Sequence, residues 1–404
     1  MTSDGQGSSY DVVVIGASQA GLAMGYHLAQ KDLSFVILDA GPEIGHLWRS
    51  RWDSLVLFTP AQHSGLPGMA FPGPENTYPS RDDVVSYLQA YAATFDLPVR
   101  LNSRVTSLTK GDSGYVVATS EGTLEARQVL MATGPFQVPF TPAVSAEFDE
   151  SVFQIHSADY RNPGQIPEGQ VLVVGGGNSG FQIAEELAAT RKVDLAVGQQ
   201  MLSLPQHLFG KDIFWWLTRV GYMKVDVGSR LGQRLSRRDA LIGSSPRGIR
   251  RAGVTIRGLL SRAAGRRAVF ADGAQVDVDV VVWATGYRLD HSWIGIPEVK
   301  DERGCIIHKR GVTISPGLYL LGQTWQNTRG SALIGWVGND AAFLAEQIAW
   351  RMTRRSEQRP ASRQGPTDTL PGVPEPDDVV GVRMTMVPRH DECVDLTELS
   401  WPPC

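Results

Sequence analysis

The chain has 404 residues, 42% of them hydrophobic and 20% charged, with a formal net charge of −4. That length exceeds one ordinary domain and suits two or three. The charge offers no general attraction to nucleic acid or to an anionic membrane, no apolar run approaches the roughly 20 residues of a spanning helix, and three late cysteines make neither a disulfide framework nor a metal cluster.

The polar first nine residues hold no signal-peptide core, so a cytoplasmic protein is expected. The aliphatic run Val12-Val13-Val14-Ile15 then reads as a buried parallel strand. It enters the turn Gly16-Ala17-Ser18-Gln19-Ala20-Gly21, and a helix follows over 22–30. Strand, glycine turn and helix N-terminus together aim backbone N–H groups at a pyrophosphate. Ser18 replaces the usual middle glycine; serine is the smallest polar substitute, and its hydroxyl can donate to a phosphate. The next strand, 35–38, ends at Asp39, an acceptor suited to the 2′-hydroxyl of an adenosine ribose. Gly16, Ser18, Gln19, Ala20, Gly21 and Asp39 are therefore candidate ligands of FAD.

A loop-rich stretch over 41–78 precedes Ser80, which caps a helix over 82–95 with Val84, Tyr87, Leu88 and Tyr91 on one face. Short strands are expected over 99–108, 114–119 and 124–131, ending at Ala132-Thr133-Gly134. A second strand-and-turn then appears, Val171 to Val174 running into Gly175-Gly176-Gly177-Asn178-Ser179-Gly180. The corresponding second strand, 193–197, ends at Gly198, with Gln199 and Gln200 after it. Neither acid nor arginine stands there, so the group that would choose between NADH and NADPH is missing. Two such turns in one chain point to two dinucleotides held together, with electrons passing between them.

Phe209, Ile213, Phe214, Trp215, Trp216 and Leu217 form either core or a path for an apolar substrate. Eleven arginines crowd the span from Arg230 to Arg267, with Asp239 as its acid; this is either a solvated face or a field for an anionic ligand. A strand over 278–283 ends in Ala284-Thr285-Gly286-Tyr287, and the chain returns through Gly317 to Gly322 before Arg329-Gly330-Ser331 opens a helix to about 350. The expected fold is α/β, with two Rossmann-like dinucleotide-binding domains, the NAD(P)H domain inserted into the FAD domain. The boundaries read as 10–165 and 289–353 for the FAD domain, 166–288 for the insertion, and 354–404 for a C-terminal extension rich in proline and charge, whose apolar residues suggest that it docks back on the body.

These landmarks resemble the class B flavin-containing monooxygenases, most of all the YUCCA-type enzymes and their bacterial relatives. The likeness covers 10 to about 350 and includes Trp52-Asp53-Ser54-Leu55, Leu66-Pro67, Phe71-Pro72, Tyr78-Pro79, both Ala-Thr-Gly segments, Leu204-Pro205-Gln206 and Gly317-Leu318-Tyr319. Two departures stand out. Of the pattern F-x-G-x-x-x-H-x-x-x-Y only His156 and Tyr160 survive, with Glu150 and Val152 at the other positions. Gly198 stands where YUCCA-type enzymes carry an arginine for the 2′-phosphate.

The resemblance implies FAD, NADPH with NADH as an alternative, and O₂ as co-substrate. The flavin is reduced, reacts with O₂ at C4a, and passes one oxygen atom to a small, apolar or aromatic organic substrate. N- or S-oxygenation, Baeyer–Villiger chemistry and oxidative decarboxylation all stay open, as does a homodimer; nucleic acid, membrane and metal are not expected partners. On this likeness the flavin lies between a loop from Trp48 and Arg49 to His63 and a segment holding Arg329, Ser331, Ala332 and Leu333, with Thr133, Gly134 and Gly322 beside it. Asn178, Ser179 and Gly286 join Gly175, Gly177 and Gly180 at the nicotinamide dinucleotide. Gln62, His63 and Arg329 are the candidate catalytic residues. A disulfide reductase would need a cysteine pair beside the flavin, and no cysteine precedes Cys305. The competing reading is a flavoprotein reductase that passes electrons to a ferredoxin or quinone.

Overall fold

The computed structural model describes residues 9–198, 202–237 and 240–357. Gln199, Gln200, Arg238, Asp239 and the extension beyond 357, with the docking expected of it, lie outside the described residues.

Two sheets organise the chain. In the first, of nine strands, the strand Ser9–Ile15 lies between Phe35–Leu38 and Gly122–Met131, all parallel, with Val13 opposite both Val36 and Val129. Val12, Val13 and Val14 are wholly buried, as expected of a strand covered on both faces. Leu318–Leu320 adds in parallel beyond Gly122–Met131. The second sheet has five strands, all parallel, in the order Thr255–Arg257, Lys192–Ala196, Gln170–Val174, Val280–Trp283, Phe153–His156. Every strand of this second sheet falls in sequence between Gly122–Met131 and Leu318–Leu320, two neighbours of the first. The second Rossmann-like unit is thus inserted into the first.

Helix Arg81–Thr94 opens with a full capping box, Ser80 and Asp83 bonding each other's backbone N–H. Tyr87, Leu88 and Tyr91 are buried beneath it. The long helix Ile334–Glu357 packs along Gln19–Ala29 through buried Val337, Ala341, Leu344, Ala345 and Ile348, the spacing of one helical face.

Three expectations are corrected. The segment 99–108 breaks into Val99–Arg100 and Val105–Lys110, which pair with different strands. The last helix begins at Ile334 rather than at Arg329. Cys305 takes part in a disulfide, which the odd cysteine count did not foretell. Among the described residues no helix is long and apolar enough to cross a membrane, and no group of His, Cys, Asp and Glu forms a candidate metal site.

Candidate functional site

The two glycine turns are built alike. Gly16 and Gly175 hold φ at +110° and +140°, and a Cβ there would stand 2.5 Å from Ala132 O and 2.0 Å from Ala284 O. Each turn therefore abuts the Ala-Thr-Gly segment that ends a neighbouring strand. A Cβ on Gly21 would lie 1.8 Å from Gly16 O, and one on Gly180 2.1 Å from Gly175 O. Only glycine lets the helix start so close to the strand end. Neither helix is capped by a side chain at Ser18 or Gly177, so first-turn N–H groups are left for a ligand's phosphates. By that test both turns fit a dinucleotide.

Around the first turn, Asp39 is bound into the backbone. Its Oδ2 accepts from Ala17 N and its Oδ1 from Gly41 N, both at 2.7 Å, so the carboxylate shapes the glycine turn itself while keeping lone pairs for a hydroxyl. Gln19 is the junction. Its Oε1 accepts from Ser18 Oγ (2.6 Å) and Trp48 Nε1 (3.2 Å), and its Nε2 donates to Ala332 O at 3.5 Å. The return chain closes on the same turn, since a Cβ on Gly322 would meet Ala20 Cβ at 2.7 Å. Arg49 is elsewhere: its guanidinium pairs with Glu43 (2.8 Å) and Asp82 (3.2 Å) at the surface, which leaves Trp48 as the member of that pair that reaches the turn.

The expected flavin-facing segment is held from behind. Gly134 O accepts from Gln323 Nε2 (3.2 Å) and Gln137 Nε2 (2.9 Å), and Thr133 Oγ1 also accepts from Gln137 (3.0 Å). The Ser331 hydroxyl donates to Asp340 Oδ2 at 2.6 Å and accepts from the backbone N–H of Asn327 and Thr328. It is therefore spent on the turn rather than offered to a cofactor. Asp340, 2% exposed, also accepts from Asn327 Nδ2 at 3.0 Å and pairs with Arg310 at 3.4 Å. Arg329 is buried in this turn.

His63 and Gln62 part company. The His63 ring stacks on Trp336 at 5.8 Å, and a Cβ on Gly335 would come 2.1 Å from His63 O, so the loop is clamped on the head of the last helix. Burial lowers the His63 pKa, against a smaller pull from Asp212. Gln62 is exposed and exchanges two hydrogen bonds with Asn76, at 3.0 and 2.8 Å. An open pocket of about 360 Å³ lies beside them, lined by His63, Leu66, Met69, Thr218 and Trp336 among others.

At the second turn, Asn178 Oδ1 accepts from Ile242 N at 3.3 Å and ties the strand Ala240–Ile242 to the helix head. Among the described residues no side-chain hydrogen bond places Ser179. Gly198 is exposed at the strand end. Three of the arginines expected to help are engaged: Arg257 with buried Asp194 (2.6 Å), Arg266 with Asp279, and Arg267 with Asp277 (3.0 Å). His156 accepts from Ala158 N at Nδ1 (3.0 Å), so its Nε2 donates to Gly286 O at 3.1 Å. Burial lowers its pKa. With Tyr160, whose hydroxyl donates to Glu186 at 2.7 Å, it fixes the linker to the second Ala-Thr-Gly segment.

The aromatic stretch divides. Ile213 and Phe214 are buried with Met223 and Ile242 against Phe58 and Trp336, whereas Phe209 and Trp215 face outward. Sequence reasoning missed Asp212, which is buried and accepts from Tyr78 Oη (2.6 Å), Gln206 Nε2 (2.8 Å) and Phe214 N (2.7 Å). It joins the loop of one domain to the insertion.

Two matched glycine turns, one on the parallel strands of a mixed sheet and one on an all-parallel sheet, are the arrangement of a protein that holds two dinucleotides. The family described as "Pyridine nucleotide-disulphide oxidoreductase" matches residues 13–206. The chain is 48% identical over 340 residues to an "Uncharacterized oxidoreductase CzcO-like" of Geobacillus kaustophilus, covering 84% of this chain and 98% of that one. It is 28% identical to a "Probable indole-3-pyruvate monooxygenase YUCCA9" of Arabidopsis thaliana, over 86% of this chain and 91% of the relative. A solved flavin-containing monooxygenase from Stenotrophomonas maltophilia is 29% identical, with a TM-score of 0.72, over 85% of this chain and 99% of its own. The protein belongs to the class B flavoprotein monooxygenase family, and within it resembles the CzcO-like oxidoreductases. Its cofactors are FAD and a nicotinamide dinucleotide, with O₂ as co-substrate.

Proposed function

We propose that the protein oxygenates a small, uncharged apolar or aromatic substrate held beside His63 and Trp336. The observation that carries this reading is the composition of that pocket. Among the described residues its lining holds no lysine or arginine, so no fixed cation there pairs a carboxylate, which favours N- or S-oxygenation or a Baeyer–Villiger insertion over decarboxylation of an α-keto acid. Bound flavin supplies the hydride acceptor and the centre at which O₂ is activated. The chain's own residues bind and orient. N–H groups after Gly16 and Gly175 take the two pyrophosphates, Asp39 takes the adenosine ribose, and Gln19 with Trp48 holds the first turn to the return segment. Asp340, through Ser331, fixes the segment that faces the flavin, and the His63–Trp336 stack limits water at the reacting face. NADPH is the preferred coenzyme by a moderate margin, and the setting is the cytoplasm.

The test supplies NADPH and air with an aryl thioether, a cyclic ketone or an arylpyruvate, and compares these with added quinone or ferredoxin under nitrogen. Oxygenated thioether or ketone, formed in step with NADPH consumption, supports the reading. Turnover on the arylpyruvate alone overturns the substrate class. Acceptor reduction without any oxygenated product establishes the reductase instead.

A further inference from the structure

The span from His207 to Arg237 carries a surface that the flavin chemistry does not use. It opens with a tight hairpin, His207–Leu208 against Lys211–Asp212, whose tip is Phe209 and Gly210. Phe209 holds φ at +49°, the left-handed region that bulky side chains avoid, and is 86% exposed. A strained backbone that presents an aromatic ring to water weakens the fold, which marks the tip as a place of contact.

The ring is not isolated. Phe209 packs edge-on against Trp216 at 6.3 Å, Trp216 against Trp215 at 4.7 Å, and the Trp215 ring faces Lys211 at 6.0 Å and Arg219 at 5.5 Å. Leu208, Val220 and Leu231 are exposed as well. The same span exposes six cations, Lys211, Arg219, Lys224, Arg230, Arg234 and Arg237, against one exposed acid, Asp226, since Asp212 is buried. The insertion's ion pairs go to Arg257, Arg266 and Arg267, and none of the six is paired with a described residue.

We propose that this face docks on an anionic membrane surface, with Phe209, Trp215 and Val220 entering the headgroup boundary and the six cations meeting lipid phosphate and carboxylate. Aromatic rings beside aliphatic ones, rimmed by lysine and arginine, match that boundary. A second copy of the chain fits poorly, because facing copies would oppose cation to cation. The whole-chain charge of −4 conceals this field because the acids lie elsewhere. The helix Ile213–Arg219 also sends Thr218 into the pocket wall and Phe214 toward Trp336 at 5.7 Å. An apolar substrate dissolved in lipid therefore enters beside the cleft, a consequence that rests on the function proposed above.

The experiment is co-sedimentation of the full-length flavoprotein with phosphatidylcholine vesicles, with and without phosphatidylserine. The anionic vesicles should retain at least about tenfold more protein, and salt should reverse the binding. Lys211→Glu together with Arg219→Glu should weaken it by more than about twentyfold, at about fivefold for each cation lost. Phe209→Gly separates contact from folding: glycine accepts the positive φ, so the melting temperature should hold or rise while vesicle binding falls several-fold. Equal retention on both vesicle types, or binding unchanged in both variants, overturns the proposal. So does a wild-type dimer that Phe209→Gly dissociates, which would make the face a contact between copies. Binding is read without turnover, so its absence beside intact oxygenation refutes the docking alone, and its presence without oxygenation refutes the functional reading alone.

Discussion

Gly180→Ala perturbs one dinucleotide site and leaves the other untouched. The new Cβ would sit 2.1 Å from Gly175 O, more than an ångström inside ordinary contact. The obstructing atom is backbone, and Gly175 is itself held at φ +140°, so no rotamer change relieves the clash. The helix head must retreat from the turn, carrying its N–H groups away from the phosphates. Overpacking of this kind costs about 1–3 kcal/mol, or roughly five- to a hundredfold in affinity if it falls on coenzyme binding. Anaerobic titration of flavin reduction with NADPH reads that affinity, and the flavin absorbance reports whether FAD stays bound. The expected variant keeps its FAD and needs far more NADPH. Gly21→Ala, with its Cβ 1.8 Å from Gly16 O, should do the reverse and purify depleted of flavin. Unchanged NADPH affinity in the first variant, or FAD loss from it, would refute the assignment of the two turns.

Three further outcomes are expected. Asp340→Asn removes one charged acceptor from Ser331, Asn327 and Arg310, at about 1–3 kcal/mol; FAD should dissociate roughly tenfold more readily and its reduction potential should shift, whereas an unaltered potential would confine Asp340 to structure. His156 has its pKa lowered from 6.5 by burial, so below 6.5 the unfolded chain binds the proton more readily than the fold. Stability should be full above that pH and fall as pH drops toward the folded value, a slope that denaturation of His156→Gln should show flattened. Gly198→Arg should raise the preference for NADPH over NADH about ten- to a hundredfold by adding a phosphate partner, measured as the ratio of flavin reduction rates; an unchanged ratio would place the 2′-phosphate away from this strand end.

The parts of the molecule written in the sequence are those whose physics is local. Each glycine turn declares itself because a Cβ on Gly21 or Gly180 would strike the backbone of Gly16 or Gly175 a few residues before it, and the aliphatic runs before the turns can only be strands buried on both faces. The insertion follows from two repeats of that pattern and a late return strand. What stayed hidden depends on long-range partners. Arg49 looked like a cofactor ligand beside Trp48 until Glu43 and Asp82 claimed it. Ser331 looked free because Asp340, which accepts its hydrogen bond, stands nine residues further on in a helix. Asp212 carried no motif at all; its importance comes from Tyr78, 134 positions earlier. The cationic face was visible as composition, but not its pairing with an exposed hairpin tip, because the left-handed φ of Phe209 has no signature beyond the glycine that follows it.

Oxygen transfer is tested most directly by supplying ¹⁸O₂ with NADPH and an uncharged thioether or cyclic ketone, then weighing the product. One ¹⁸O atom is expected in the product, with the other recovered in water and NADPH consumed in equal amount. Product without the label, or NADPH consumption that yields only hydrogen peroxide or a reduced acceptor across the substrate panel, would contradict it.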